Sequence, residues 1–148
     1  HYREKSMIVR HILDSKGRDV ATIAPTASVQ DAIQALGSRR VGALVVSDAG
    51  KAILGIISER DVVKLIAGSG VGALDQPVSA HMTARVVTCA LDDTIQSVME
   101  RMTAGRFRHM PVSVDDKLAG IVSIGDVVKG RLDEMAQESQ ALRQYITN

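Results

Sequence analysis

The ten residues from Gly55 to Lys64, GIISERDVVK, return from Gly120 to Lys129 as GIVSIGDVVK. Seven of the ten positions are identical, and Ile57 is replaced only by Val122. A chain of 148 residues that writes this string twice, 65 positions apart, reads as a tandem duplication. Such a period constrains the fold more than any local signal does, because each copy must be one supersecondary unit that shares a core with its surroundings. The string also runs from a strand-like stretch into a hydroxyl and a carboxylate three residues apart.

The segments around the two strings follow one order. In the first copy, Val20 to Ala24 reads as a short strand. Ser28 with Asp31 is a capping-box pattern, and Val29, Ala32, Ile33 and Leu36 line one helix face. Gly37 to Arg40 breaks that helix. Val41 to Val46 is a β-branched strand, Asp48 to Lys51 a turn, and Ile53 to Ile57 the returning strand of a hairpin. A helix opens at Ser58 to Asp61 and runs to about Ala67. Gly68 to Pro77 reads as a connector. In the second copy, Val86 to Ala90 is the strand, and Asp92-Asp93-Thr94 caps a helix buried through Ile95, Val98, Met99 and Met102. Met110 to Val114 and Leu118 to Val122 form the hairpin, and a long helix leaves from Asp126. Both copies therefore read strand, helix, strand, strand, helix. Thr22 aligns with Thr88, Ala43 with His109 and Ser58 with Ser123, with one residue lost in the hairpin turn, where a length change is cheapest.

Val9, Ile12 and Leu13 mark a further helix between Ser6 and Gly17. The last helix carries Val127, Val128, Leu132, Met135, Leu142 and Tyr145, a stripe longer than one small lobe covers. It is expected to pack on a partner chain or on the N-terminal helix. The division expected is 1–19 for the N-terminal helix and lead-in, 20–76 and 77–132 for the two copies, and 133–148 for the C-terminal extension.

Bulk chemistry narrows the function. A net charge of +1 offers no broad basic face for nucleic acid. No apolar run is long enough to span a bilayer, and no secretory leader is visible, so a cytoplasmic location is expected. Cys89 is the single cysteine, which excludes an intrachain disulfide, and its apolar surroundings predict a buried, inert thiol. His11 and His81 lack ligand-spaced partners, so no metal site is expected. The aromatic residues are only Tyr2, Phe107 and Tyr145, so a planar ligand would be held mainly by aliphatic walls.

The repeated Ser-x-x-Asp has a purely structural explanation: it is a capping box in acidic form that satisfies orphan helix donors. A ligand role competes with that explanation. Gly55 and Gly120 mark positions of close backbone approach. A carboxylate in the first helical turn can accept from two vicinal hydroxyls, and the helix N-terminus favours a phosphate. Arg40, Arg60, Arg106, Arg108 and His109 are candidate charge-assisted donors. These parts suit a ribonucleotide. Gly68 to Ala73 satisfies a loose G-x-G-x-x-A pattern, but it follows a helix rather than a strand, so it reads as connector.

The duplicated order with G-h-x-[ST]-x-x-D, covering about Val20 to Leu132, resembles a pair of cystathionine β-synthase (CBS) domains, a Bateman module. The resemblance implies an α+β fold of two β-α-β-β-α lobes about a pseudo-two-fold axis, flanked by N- and C-terminal helices. It implies two clefts between the lobes that can take AMP, ADP, ATP, NAD or S-adenosylmethionine. By position, one cleft would use Ser123 and Asp126 with Arg108 and His109, and Thr22, Ile23, Gly42 and Ala43 from the other lobe. The second would use Ser58, Arg60 and Asp61, with Thr88, Met110 and Pro111 across it and Arg40 for phosphate. The motif flanks differ between copies, so unequal clefts are expected, with the Asp126 one the stronger phosphate site.

The reading that follows is a non-catalytic regulatory module that binds adenosine nucleotides and signals to a protein partner by conformational change. Homodimerisation is expected from the long apolar stripe and from the family's habit of pairing modules. No catalytic cofactor, membrane or nucleic-acid partner is expected. Two other classes stay open: a small nucleotide hydrolase using His109, although no oriented nucleophile is spaced around it, and a structural dimerisation module with vestigial clefts.

Overall fold

The computed structural model describes residues 6–147. Tyr2 and the first five residues of the expected lead-in lie outside them.

The elements arise where the apolar periodicity and caps place them. Helix α1 spans Val9–Lys16. Strand β1 (Thr22–Ile23), helix α2 (Val29–Arg39), strands β2 (Ala43–Ser47) and β3 (Ile53–Ser58), and helix α3 (Glu59–Ser69) make the first copy. Helix α4 (Ile95–Gly105), strands β4 (His109–Val114) and β5 (Lys117–Ser123), and helix α5 (Ile124–Thr147) make the second. Ser28 caps α2 through the reciprocal bonds of a capping box: Asp31 N donates to Ser28 Oγ at 3.0 Å and Ser28 N to Asp31 Oδ2 at 3.2 Å. Thr94 caps α4 by accepting from Ser97 N at 3.1 Å. The break expected from Gly37 comes later: α2 runs through Gly37 to Arg39 and is closed by Arg40 in left-handed conformation at φ 54°, as Arg106 at φ 58° closes α4.

In the first copy β1 runs parallel to β2, and β2 antiparallel to β3, in the order β1-β2-β3. In the second copy β4 and β5 form a two-stranded sheet. The expected strand from Val86 to Ala90 is reduced to a single parallel bridge, Cys89 to Val112. Its backbone groups are taken by side chains instead of a ladder: Thr88 O accepts from Arg101 Nη1 at 2.8 Å, and Ala90 N donates to Asp93 Oδ2 at 2.8 Å. The expected strand from Val20 to Ala24 is likewise only two residues long. The connector is also more structured than its glycines imply. Helix α3 reaches Ser69, and two 3-10 turns follow at Val71–Asp75 and Val78–Ala80, burying Ala73 and Val78. Ser6 does not cap α1; Ile8 N instead donates to His11 Nδ1 at 3.0 Å.

The chain divides into two compact units. One holds Asp19–Val87 with the hairpin tip Ser113–Ala119. Its core is Ala21, Ala32, Leu36, Leu44, Val46, Ile57, Val62 and Val78. The other holds the segment ending at Arg18, Thr88–Val112, and the chain from Gly120 through α5. Its core joins Val9, Ile12 and Leu13 of α1 to Cys89, Ile95, Val98, Met102, Met110, Val112, Val122 and Val127.

Each unit is completed by the segment that precedes the other copy in sequence. In the first unit, Val29 N donates to Gln76 O at 2.9 Å and Val78 N to Ala27 O at 2.7 Å. In the second, Ile95 N donates to Met7 O at 3.0 Å and Val9 N to Asp93 O at 2.9 Å. These are the same two bonds, written once with the connector and once with the N-terminal lead-in. The N-terminal helix does pack against the start of α5, as one of the two expected arrangements had it: Val9, Ile12 and Leu13 share a core with Val127. Just ahead of α1, Met7 N donates to Glu134 Oε2 at 2.7 Å, and within α5 Arg131 Nη1 donates to Glu134 Oε1 at 3.1 Å. Glu134 is the one buried charged side chain among the described residues, and these two donors compensate its burial. The stripe itself is divided. Val127 is buried, whereas Val128, Leu132, Met135, Leu142 and Tyr145 are 43–61% exposed.

Candidate functional site

Both Ser-x-x-Asp motifs form the capping box their spacing predicts. Ser58 N donates to Asp61 Oδ2 at 2.9 Å, and Asp61 N donates back to Ser58 Oγ at 3.2 Å. Ser123 N donates to Asp126 Oδ2 at 2.9 Å, and Asp126 N to Ser123 Oγ at 3.1 Å. In each motif one carboxylate oxygen is committed to the cap. All four motif residues are half-buried, which leaves the carboxylates partly open to solvent.

The strand ahead of each motif is matched by a strand start beside it. In the first unit Ala43 pairs with Ser58, and Glu59 N donates to Gly42 O at 3.0 Å. Gly42 and Ala43 thus lie directly against the first motif, with Arg60 exposed on the first turn of α3 and Arg40 exposed at the end of α2. Thr22 and Ile23 pair with Val45 and Val46 on the opposite edge of β2. In the second unit the equivalent bond runs from Ile124 N to Arg108 O at 2.8 Å, so Arg108 and His109 lie against the second motif. Arg108 is exposed and His109 half-buried. Met110 and Pro111 are buried, and Pro111 O accepts from Cys89 N at 3.0 Å. Thr88 is half-buried, its carbonyl held by Arg101.

The two glycines have an internal explanation. A Cβ at Gly55 would meet the side chain of Met82 and lie 2.9 Å from Thr83 O, and one at Gly120 would lie 2.7 Å from Leu13 Cδ1. The close approach inferred from these glycines is therefore made by the exchanged lead-in segments, on the protein's own chain.

Lys16, at the last turn of α1, has no counterpart in the sequence reading. Its Nζ donates to Asp126 Oδ2 at 2.6 Å, with the two side chains 33% and 26% exposed. The pair suits both helix dipoles, with the cation at the C-terminal end of α1 and the anion at the N-terminal end of α5. Burial works to raise the Asp126 carboxyl, but the bonds from Lys16 and Ser123 outweigh it and hold the group below its ordinary value. Among the described residues Asp61 has no cationic partner. No sequence signal points to Lys16, because a basic residue closing a helix is ordinary dipole compensation.

Cys89 behaves as a buried structural thiol. Burial pushes it up to about 12, with Arg101 opposing and Asp93 adding to that shift, so it stays protonated at neutral pH. Among the described residues no three His, Cys, Asp or Glu side chains gather as metal ligands, and no helix is long and apolar enough to cross a membrane.

The CBS domain family model matches twice, at residues 9–68 and 78–133. The chain belongs to the CBS domain family as a tandem pair. It is 35% identical over 150 residues to the mitochondrial CBS domain-containing protein CBSX3 of Arabidopsis thaliana, covering 96% of this chain and 73% of that one. Among solved structures, a CBS-domain containing protein from Agrobacterium tumefaciens superposes with a TM-score of 0.81 at 50% identity, over 84% of this chain and 99% of its own. A CBS domain protein from Pyrobaculum aerophilum, solved in complex with AMP, shares the fold at a TM-score of 0.72 and 24% identity, over 81% and 89% of the two chains.

Proposed function

We propose that this CBS pair is a non-catalytic sensor that binds adenosine nucleotides at its two Ser-x-x-Asp motifs and passes the bound state to a protein partner. The observation that carries the reading is the half-open carboxylate at the start of α3 and of α5. Each keeps one oxygen on the cap and the other for a ribose hydroxyl. Family membership and the AMP complex of the Pyrobaculum aerophilum protein support an adenosine ligand. Thr22, Ile23, Arg40, Gly42, Ala43, Ser58, Arg60 and Asp61 in the first unit, and Thr88, Arg108, His109, Met110, Pro111, Ser123 and Asp126 in the second, are the proposed contacts. The candidates for the ligand are AMP, ADP, ATP and NAD.

A ligand shifts a conformational equilibrium only through its different affinities for the two states. Titration calorimetry of ligand-free protein with AMP, ATP and NAD is the test. Saturable heat from any of them supports the sensor, and its absence with all three, together with no thermal shift, overturns it. Recovery of intact AMP after prolonged incubation supports the non-catalytic part, and turnover contradicts it.

The protein is further proposed to be a homodimer. On α5 the exposed Val128, Leu132, Met135, Leu142 and Ile146 recur at four- and three-residue steps, with Ser139 in the gap, which is the spacing of a helix seam. A dimer mass in sedimentation at micromolar concentration that falls to monomer with Leu132→Glu supports this; a monomeric unmutated chain contradicts it.

A further inference from the structure

The two motifs make the same cap but do not present the same charge. At the first, Asp61 has no ion-pair partner among the described residues. At the second, Lys16 sits 2.6 Å from Asp126 Oδ2. The cation is carried by a helix that is built into the unit. Val9, Ile12 and Leu13 are 0–8% exposed in its core. Arg10 N donates to Leu91 O at 2.9 Å, and Arg10 Nη2 to Asp92 Oδ1 at 3.0 Å. Helix α1 is thus a fixed support for Lys16. An ammonium has three donors, of which Asp126 uses one. The Lys16 side chain is 33% exposed, so the ammonium lies partly open to solvent beside the carboxylate proposed to hold ribose.

We propose that Lys16 is a specificity residue of the second motif, selecting nucleotides that carry phosphate over the uncharged nucleoside. The inference rests on the adenosine-binding reading above and names the residue that sets its ligand charge. An anionic ligand that approaches a bare carboxylate meets like charge; beside Lys16 that repulsion is cancelled, and a charge-assisted donor is in reach. Arg108, whose carbonyl accepts from Ile124 N, is exposed at the same helix start and is a second cation there. Among the described residues the first motif has no equivalent helix-borne cation on its carboxylate. The connector that stands in for α1 there supplies only the short 3-10 turn Val78–Ala80.

The test is calorimetry with AMP and with adenosine on the full chain carrying Asp61→Ala, so that the second motif is read, with and without Lys16→Met. The expected result is that AMP affinity falls about tenfold with Lys16→Met while adenosine affinity changes little, and that Lys16→Arg restores the AMP preference. Raising salt should weaken AMP more than adenosine in the chain that keeps Lys16, a measurement that needs no change at that position. An unchanged AMP-to-adenosine ratio, or tighter AMP binding in Lys16→Met, overturns the role of Lys16 and leaves the adenosine reading standing. Loss of all binding on Asp61→Ala alone, with binding intact in the unmutated chain, also overturns it, because the second motif then holds no ligand. Failure of the unmutated chain to bind either compound overturns the functional reading and this inference with it.

Discussion

The two copies of GI[IV]SxxDVVK fold into the same cap and differ in what stands beside it. Among the described residues Asp61 is bonded only within its own motif, whereas Asp126 is also held by Lys16 from a helix 110 residues away in sequence. The covering segments differ in the same direction. Gly120 is covered by Leu13 on a regular helix in the core, Gly55 by Met82 and Thr83 on an irregular stretch. Duplication thus preserved the parts set by near neighbours and let the parts supplied from a distance diverge. The consequence, among the described residues, is one carboxylate paired with a cation and one without.

That contrast can be broken most forcefully at the covering side chains. Leu13 is 1% exposed, so Leu13→Ala is expected to cost about 2–5 kcal/mol of stability in urea unfolding. Met82→Ala, at a half-buried position, should cost under about 2 kcal/mol. Equal losses would mean that the two lead-ins are equivalent supports.

The carboxylates come next. Asp61→Ala and Asp126→Ala should each weaken an adenosine ligand at their own motif by about 1.5–3 kcal/mol, the worth of a charged hydrogen bond. If affinity is unchanged in both, the carboxylates are caps alone.

The glycines sharpen the comparison further. Gly55→Ala and Gly120→Ala should each cost about 1–3 kcal/mol by overpacking. The larger loss is expected at Gly55, where the new methyl meets the Thr83 carbonyl, which is fixed by its pairing with Ile56. At Gly120 it meets the end of a leucine side chain. Chemical denaturation of both variants decides the order.

The smallest effect is that of pH. The Asp126 carboxyl is held below its unfolded value, so its contribution to stability is full above about pH 4 and is lost as pH falls through the folded value. Asp126→Asn should therefore flatten the acid side of the melting-temperature profile and converge with the unmutated chain at the lowest pH. Parallel profiles would remove the ion pair from the account of stability.

Much of the fold was legible because its determinants are local. Ser58 and Asp61, Ser123 and Asp126, and Ser28 and Asp31 are each three residues apart, and a capping box needs nothing more distant to form. The β-branched hairpin strands read equally well, whereas the helix expected to break at Gly37 continues to Arg39. The strand expected from Val86 to Ala90 failed because Arg101 and Asp93 take its backbone groups. Neither residue announces that in sequence; each simply belongs to a helix or its cap. The glycines were read as space for a ligand because a strand glycine says only that something comes close. What comes close is the chain itself.

The sequence alone determined the tandem repeat, the order of elements in each copy, and the two capped carboxylates, because periodicity and caps act over a few residues. Only the tertiary structure decided that α1, which precedes the first copy, completes the core of the second, and that Lys16 therefore meets Asp126 rather than Asp61. That choice depends on which apolar face buries Val9, Ile12 and Leu13, and burial is non-directional, so no spacing in the chain encodes it.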